Sequence, residues 1–311
     1  MLIPKILCNF AGENKNRLLK MGERVHIVVP AGRIELRYLD MARERLESWG
    51  FEVTEGEHAR QPLGRFGGTK RGRAEDLNAA FSDPDIRYIL CARGGYGMVQ
   101  ILDQLTEPKN KAMAIGFSDI TALHLALGRY DIPSIHAAMA KHLSEYNKNH
   151  ASVDALHDLL CGGSLHYSLP GHPLNKPGKV EGLLRGGNLA VMCGLQGTPY
   201  ALRTDEPCVL FIEDVGERPY AIDRMLNNLR LSGVLRKIKG LVVGQFSDYE
   251  EDPQMGGTLY ERIRMMVEPY DYPVLFNFPA GHVPANMPLI MNAMCTLEVT
   301  SRGGVLTQGN L

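Results

Sequence analysis

The chain has 311 residues, of which 44% are hydrophobic and 22% charged, values typical of an ordinary soluble globular protein that is long enough for two domains. Its 34 lysines and arginines against 35 aspartates and glutamates give a formal net charge of −1, which provides no bulk attraction to nucleic acid or to anionic lipid. No apolar run approaches the roughly 18–20 residues needed to span a bilayer. We therefore expect neither nucleic acid nor a membrane as a partner.

The N-terminal segment MLIPKILCNFAGENKNRLLK has a short apolar stretch but no convincing small-residue cleavage site, so a secretory signal peptide is not predicted. The six cysteines are scattered without a Cys-x-x-Cys pair, and the ten histidines include no His-Glu-x-x-His spacing. A disulfide framework and a catalytic metal are thus not expected. The sequence predicts a cytoplasmic protein without a metal or another cofactor.

The first half of the chain alternates strands with helices. The strand RVHIVVPAG is followed by a helical segment in which Leu36, Leu39, Ala42 and Leu46 form one apolar face. Further strands are predicted at FEVTEG, IRYILCARGGYG, AMAIGF and PSIHAA, and further helices at RAEDLNAAFSDPD, 98–105 and 119–130. Such alternation predicts a parallel, doubly wound sheet, whose ligand crevice lies at the carboxyl ends of its strands.

A serine stands where one of these strands meets a helix, in the stretch AIGFSDITALHLALGRY. On a tight strand-to-helix turn, Ser118 would be lifted out of the sheet as a nucleophile, near the free amides of the helix. The hydrolase pattern G-x-S-x-G lacks its second glycine here, and serine at a helix start is usually a cap. Both readings stay open. His124, on the same helix, is expected to pack or cap there.

A glycine-rich turn, ARGGYG, follows another buried strand at residues 92–97. Glycines allow a backbone amide to approach a ligand closely, as an oxyanion hole requires, but they are also ordinary turn residues. The spacing matches neither G-x-x-x-x-G-K-[ST] nor G-x-G-x-x-G, so nucleotide binding is not predicted.

The composition changes at SLPGHPLNKPGK, residues 168–179, which we interpret as an inter-domain linker. The segment EGLLRGGNLAVMCGLQGTP then predicts a Gly-Gly turn and a short helix. The strand CVLFIEDV, the helix RPYAIDRMLNNLRLSGVL and the strand IKGLVVGQF follow, and residues 273–311 supply short strands and loops. The second half is therefore expected to be mixed α/β with more β character.

Two candidate functional groups occur in this second half. Glu213 and Asp214 end an apolar strand, where a buried carboxylate requires a partner. The partner is either Arg218 or Arg224 in a structural ion pair, or a histidine that Glu213 orients. His282 lies in the Gly- and Pro-framed loop FNFPAGHVPANMPL, a typical setting for a binding residue.

Several long strings resemble the LD-carboxypeptidase family, the muramoyltetrapeptide carboxypeptidases, which are serine peptidases. They are GRFGGTKRGRAEDLNAAFSDPDIRYILCARGGYG, IGFSDITALHLAL, LLRGGNLAVMCGLQGTP, LFIEDVGERPYAIDRML, GLVVGQF and FPAGHVP. They occur in the order of the family, from about residue 24 to the C-terminus. The resemblance implies a Ser–Glu–His triad in which Ser118 is the nucleophile, Glu213 the orienting acid and His282 the general base and acid.

The resemblance also implies an oxyanion hole made by an amide of Gly94 or Gly95 and the amide of Asp119. The implied architecture is an N-terminal Rossmann-like parallel-sheet domain and a smaller β-rich C-terminal domain, usually in a homodimer. On that basis we expect an N-terminal extension at 1–20, the nucleophile domain at 21–167, the linker at 168–179 and the domain carrying acid and base at 180–311.

The activity implied is removal of the terminal D-alanine from muropeptide tetrapeptides in peptidoglycan recycling. One alternative is a related serine peptidase that cleaves a peptidyl-nucleotide antibiotic and confers immunity. A second is a non-catalytic protein that binds a ligand in the crevice. Among residues that could bind the D-alanine carboxylate, Arg93 and Arg218 lie close in sequence to the candidate motifs.

Overall fold

A computed structural model describes residues 22–311, so the predicted N-terminal extension lies outside the described residues. The described chain divides into two compact units. The first contains residues 22–163 and Pro284–Asn292, and the second contains Ser164–Val283 and Ala293–Asn310. Within residues 22–311, no helix combines the length and apolar character required to cross a membrane.

The first unit is built on a six-stranded sheet. Its strands are β1 (Arg24–Val28), β2 (Glu52–Glu55), β3 (Ile86–Cys91), β4 (Met113–Gly116), β5 (Ser134–His136) and β11 (Leu289–Met291). The order across the sheet is β11-β5-β4-β3-β1-β2, and every pair is parallel except β11 with β5. This is a doubly wound arrangement whose strand order reverses between β1 and β3, which confirms the predicted Rossmann-like fold.

The helices of the first unit are α1 (Leu36–Ser48), α2 (Lys70–Ala80), α3 (Thr121–Leu127), α4 (Ala140–Ser144) and α5 (Tyr146–Leu160). On α1, Leu39, Ala42 and Leu46 are buried as predicted, whereas Leu36 is 40% exposed because it lies in the first turn. The helix predicted at 98–105 is instead two short 3-10 turns, Met98–Gln100 and Leu102–Gln104.

Buried His124 joins α3 to the ends of β4 and β5. The imidazole Nε2 donates to the carbonyl of Gly116 at 2.9 Å, because a carbonyl can only accept, and Nδ1 therefore accepts from the hydroxyl of Ser134 at 2.8 Å. Burial lowers the pKa of His124 to about 4, against the opposing effect of the Gly116 carbonyl. The ring is thus neutral in the folded protein at neutral pH.

This histidine makes stability depend on pH. Between its ordinary pKa of about 6.5 and the folded value of about 4, the unfolded chain binds a proton that the folded chain does not. We therefore expect His124 to lower the free energy of unfolding by about 2 kcal/mol between pH 7 and pH 5. Urea unfolding at both pH values should show a correspondingly smaller decrease for His124→Gln, which keeps a donor and an acceptor but does not titrate. An equal decrease in the two proteins would contradict this prediction.

The second unit is built on a seven-stranded mixed sheet. Its strands are β6 (Leu165–Pro170), β7 (Gly178–Asn188), β8 (Cys208–Val215), β9 (Gly240–Ser247), β10 (Val274–Leu275), β12 (Ala293–Thr300) and β13 (Gly303–Gln308). The order is β10-β9-β8-β7-β12-β13-β6; β7 to β10 pair in parallel and the remaining pairs are antiparallel. The helices are α6 (Leu189–Gly194), α7 (Pro219–Leu231), α8 (Val234–Lys237) and α9 (Leu259–Val267).

The Gly-Gly turn predicted in this half is wrong, because Gly186 and Gly187 lie inside β7. Both have a positive φ, +123° and +130°. A Cβ on Gly186 would stand 2.1 Å from the carbonyl oxygen of Phe211 on the neighbouring strand β8. The glycines are therefore explained by the close approach of two strands rather than by a turn.

The structure also differs from the expected division of the chain. The segment 168–179, expected to be a linker, begins inside β6 and ends inside β7. Residues Pro284–Asn292 return to the first unit, where β11 extends the sheet through its pairing with β5. Pro and Gly in 168–179 therefore mark a connection within the second sheet, since β6 already belongs to that sheet.

Candidate active site

Ser118 lies on a strained turn directly after β4. Phe117 is extended. Ser118 has a left-handed φ of +64° and is the first residue of a 3-10 turn, Ser118–Ile120, that leads into α3. A non-glycine residue in this region costs about 1–2 kcal/mol, so the turn resembles the strained nucleophile elbow of hydrolases. The side chain of Ile120 packs against Gly116, 3.0 Å from where a Cβ would stand. The first glycine of the pattern is therefore explained by close packing against Ile120, even though the second is absent.

The helix-cap reading of Ser118 is wrong. Phe117 occupies the N-cap position, and no side-chain cap bond forms there or at the start of α3. Within the described part of the first unit, Oγ of Ser118 makes no hydrogen bond, and the side chain is half-buried. The hydroxyl is thus available for chemistry.

The glycine turn of residues 92–97 contacts this serine. A Cβ on Gly94 would stand 2.8 Å from Cβ and 3.1 Å from Oγ of Ser118, so only glycine fits there. Gly95 has a φ of +92°. The amides of Gly94 and Gly95 donate no hydrogen bond to any residue in 22–311. Free donors beside a hydroxyl are what an oxyanion hole requires.

Asp119 fixes the glycine turn with respect to the serine. Its carboxylate is 4% exposed and accepts a hydrogen bond from the amide of Met98 at 2.8 Å. Burial raises the pKa of Asp119, and this shift is opposed by the Met98 amide and by the charge of Arg73. The Asp119 carboxylate therefore connects the serine turn to the end of the glycine turn.

Arg73, on α2, is a positioning residue that the sequence analysis missed. Its guanidinium is 2% exposed and donates to the carbonyls of Pro30, Gly68 and Gly97 at 2.6, 3.2 and 2.8 Å. Burial lowers its pKa, against the charge of Asp119. One buried cation therefore connects the loops after β1 and β2 to the glycine turn. The sequence did carry a signal for this burial, because helical spacing places Arg73 on the same face of α2 as the apolar residues Leu77 and Ala80.

Glu213 and His282 are paired in the second unit. Oε2 of Glu213, at the end of β8, lies 2.8 Å from Nδ1 of His282. Glu213 is fully buried, whereas the imidazole is 20% exposed. Because a carboxylate only accepts, Nδ1 carries the proton and Nε2 is left as the basic nitrogen. This arrangement is that of a general base with its orienting acid.

The residues around the pair restrict its geometry. Gly281 has a φ of +131°, and a Cβ there would stand 3.0 Å from Oε2 of Glu213.

Asp214, which follows Glu213, accepts hydrogen bonds from Asn188 and from the amides of Ala190 and Val215. Burial raises the pKa of Asp214 to about 6. Of the two adjacent acids, only Glu213 contacts a histidine, and no ion pair of either acid with Arg218 or Arg224 occurs within residues 22–311.

The sequence-predicted residues therefore form two groups. Ser118, Gly94, Gly95 and Asp119 lie together at the carboxyl ends of β3 and β4 in the first unit. Glu213 and His282 lie together in the second unit. Among residues 22–311, no cluster of three or more His, Cys, Asp or Glu side chains is arranged to hold a metal ion.

Sequence profiles of known protein domains match both units and identify the family of this chain. The N-terminal domain of LD-carboxypeptidases matches residues 25–137, and the C-terminal domain matches residues 181–297. The chain belongs to the LD-carboxypeptidase family and is a carboxypeptidase of the serine type. The murein tetrapeptide carboxypeptidase of Pseudomonas aeruginosa is 32% identical to it over 276 residues, or 85% of this chain and 89% of that protein.

Other relatives cover the chain at similar length. The probable murein peptide carboxypeptidase of Bacillus subtilis is 30% identical over 311 residues and covers 96% of each chain. The crystal structure of muramoyltetrapeptide carboxypeptidase from Oxalobacter formigenes superposes with a TM-score of 0.84 at 25% identity, over 92% of this chain and 99% of that chain. The microcin C7 self-immunity protein MccF superposes with a TM-score of 0.81 over 94% and 98%. Because MccF is only 20% identical to this chain, the superposition shows that the two proteins share a fold and nothing further.

Proposed function

We infer that this protein is a serine LD-carboxypeptidase that removes the terminal D-alanine from muropeptide tetrapeptides. The observation that carries the inference is the left-handed Ser118 turn, with its unbonded hydroxyl beside the free amides of Gly94 and Gly95. The named activities of the Pseudomonas aeruginosa and Oxalobacter formigenes relatives support the substrate. The bond cleaved joins the L-centre of the third residue, a diamino acid, to D-alanine.

Catalysis proceeds through an acyl-enzyme. Oγ of Ser118 attacks the carbonyl carbon while Nε2 of His282 takes the hydroxyl proton, and Glu213 holds the resulting imidazolium. The amide of Asp119 and one from Gly94 or Gly95 donate to the oxyanion. His282 then protonates the leaving D-alanine amine. A water molecule then attacks the ester carbonyl while His282 takes a proton from it, and His282 gives that proton to Oγ of Ser118 as the shortened peptide leaves.

The test is an assay of D-alanine release from such a tetrapeptide. The matched control peptide ends in L-alanine, and a peptidyl-adenylate mimic serves as the competing substrate because the MccF fold covers the same chain. We expect hydrolysis of the peptide ending in D-alanine and of neither of the others. Hydrolysis of the adenylate mimic alone would assign the immunity-type activity and overturn the proposal.

From the family resemblance we also propose a cellular location and an oligomeric state for the enzyme. The enzyme acts on peptidoglycan fragments during recycling in the cytoplasm and works as a homodimer. Light scattering coupled to size-exclusion chromatography should give twice the 34.4 kDa mass of the chain, and a monomer mass would contradict the dimer.

A further inference from the structure

Three arginines follow neighbouring strands at the carboxyl edge of the first sheet. Arg33 follows β1, Arg65 lies in the loop after β2, and Arg93 comes two residues after the end of β3. All three are exposed. They flank the β1/β3 position where the strand order reverses, which in doubly wound sheets is the place where ligands bind.

The loops that carry these arginines are joined directly through their backbones. The amide of Gly32 donates to the carbonyl of Gly94 at 2.9 Å, and the amide of Arg33 donates to the carbonyl of Arg65 at 2.9 Å. Because Gly94 in turn contacts Ser118, the loops that carry the three arginines adjoin the serine turn, and we call these loops the cationic edge.

Arg93 is the member of this edge next to the free amides. Its Nη1 donates to the carbonyl of Arg33, and its Nε lies 3.9 Å from where a Cβ of Gly95 would stand. The guanidinium is thus anchored by one nitrogen. Its other N–H groups donate no hydrogen bond to residues 22–311. An arginine held in this way retains a planar set of donors that suits a carboxylate.

No acid neutralises this edge. Arg33, Arg65 and Arg93 form no ion pair within residues 22–311, and Glu35, the nearest acid in sequence to Arg33, pairs with Arg37 at 2.9 Å. A cationic edge without internal partners favours an anionic ligand.

The surroundings of Arg218, the other candidate from the sequence, are opposite in charge. It borders an open cavity of about 680 Å³ in the second unit. The acids lining that cavity are Glu217, Asp248, Glu250, Glu251 and Asp252. Such a surface repels a carboxylate, so the electrostatic comparison favours Arg93.

We propose that Arg93 binds the C-terminal carboxylate of the substrate, in the positive field of Arg33 and Arg65, and so makes the enzyme a carboxypeptidase. The inference rests on the proposed function. In a peptide that loses its last residue, three bonds separate the attacked carbonyl carbon from the terminal carboxylate carbon, a distance of about 4 Å at most. The carboxylate must therefore lie close to the oxyanion amides, and Nε of Arg93 lies 3.9 Å from the Cβ position of Gly95, which carries one of the candidate amides.

The test compares the tetrapeptide with its C-terminal amide, in which the terminal negative charge is absent. We expect Arg93→Gln to lower kcat/KM for the free acid about 10- to 100-fold, mainly through KM, and to leave kcat/KM for the amide nearly unchanged. Arg93→Lys should recover part of the loss for the free acid. The preference of the wild-type enzyme for the acid over the amide should nearly vanish in Arg93→Gln.

Two further variants isolate the effect. Arg71→Gln removes an exposed arginine that pairs with Glu75 on α2 and should behave as wild type, and Arg218→Gln should keep the acid preference. An equal loss on both peptides in Arg93→Gln would indicate that Arg93 only holds the turn, and would overturn the inference while the function stands. Inactivity of the wild-type enzyme on both peptides would overturn the proposed function itself.

Discussion

Replacement of Ser118 by alanine is expected to lower kcat/KM for the tetrapeptide by about 10⁴- to 10⁶-fold while the protein still folds. The magnitude follows from the loss of the nucleophile in a triad, where removal of one member abolishes the covalent route and leaves only binding and oxyanion stabilisation. The hydroxyl makes no hydrogen bond within the described part of its unit. Its removal should therefore change the free energy of unfolding by well under about 1 kcal/mol.

A second substitution at Ser118 tests the strain of its left-handed backbone conformation. Because Ser118 has a φ of +64°, Ser118→Gly removes the steric cost of a left-handed side chain, and we expect stability equal to or up to about 1 kcal/mol above wild type. Activity should be as low as in the alanine variant. A gain in stability together with a loss of turnover is the signature of a strained functional residue.

The control for both is Ser48→Ala. Ser48 is an exposed serine at the end of α1 whose hydroxyl donates to the carbonyl of Arg45, and its replacement should leave kcat/KM unchanged. D-alanine release and urea unfolding measured on all four proteins complete the comparison. Turnover by Ser118→Ala within about tenfold of wild type would remove Ser118 from the mechanism.

The position of the serine could be predicted because it depends on local pattern. A buried strand, a glycine and the start of a helical period place Ser118 at the edge of a parallel sheet without any knowledge of distant residues. The parallel pairing of β1 to β5 is indicated by the same alternation of strands with helices, although their order across the sheet is not. The left-handed φ of Ser118 could not be predicted, because a serine adopts this conformation through the surrounding packing and not through its own propensity.

The features that sequence reasoning missed depend on contacts between distant segments. Arg73 looks like one charge among several on α2, and only the carbonyls of Pro30 and Gly97 make its burial possible. The return of Pro284–Asn292 to the first sheet is a pairing with β5 about 150 residues earlier, as the hydrogen bond between His136 and Asn286 also indicates. Pairings of this kind carry no local signal.

Replacement of Glu213 by glutamine is expected to lower kcat/KM by about 10³- to 10⁴-fold, with a free energy of unfolding within about 1 kcal/mol of wild type. In the triad that we propose, Oε2 of Glu213 accepts from Nδ1 of His282 at 2.8 Å and holds the tautomer in which Nε2 is the base. An amide can present its NH₂ to Nδ1 and so favour the wrong tautomer. It also removes a fully buried charge, which offsets the lost charge-assisted bond.

Glu206→Gln is the matched control, since it makes the same carboxylate-to-amide change in the same unit. Glu206 pairs at 2.8 Å with buried Arg185 and precedes the amino end of β8, whereas Glu213 lies near its carboxyl end. We expect this variant to lose stability and keep wild-type kcat/KM, the reverse of Glu213→Gln. If Glu213→Gln instead lost the 3–5 kcal/mol typical of a broken buried ion pair and kept its turnover per folded molecule, the pair with His282 would be structural. Glu213 would then be removed from the mechanism, and His282 would act as the general base without an orienting acid.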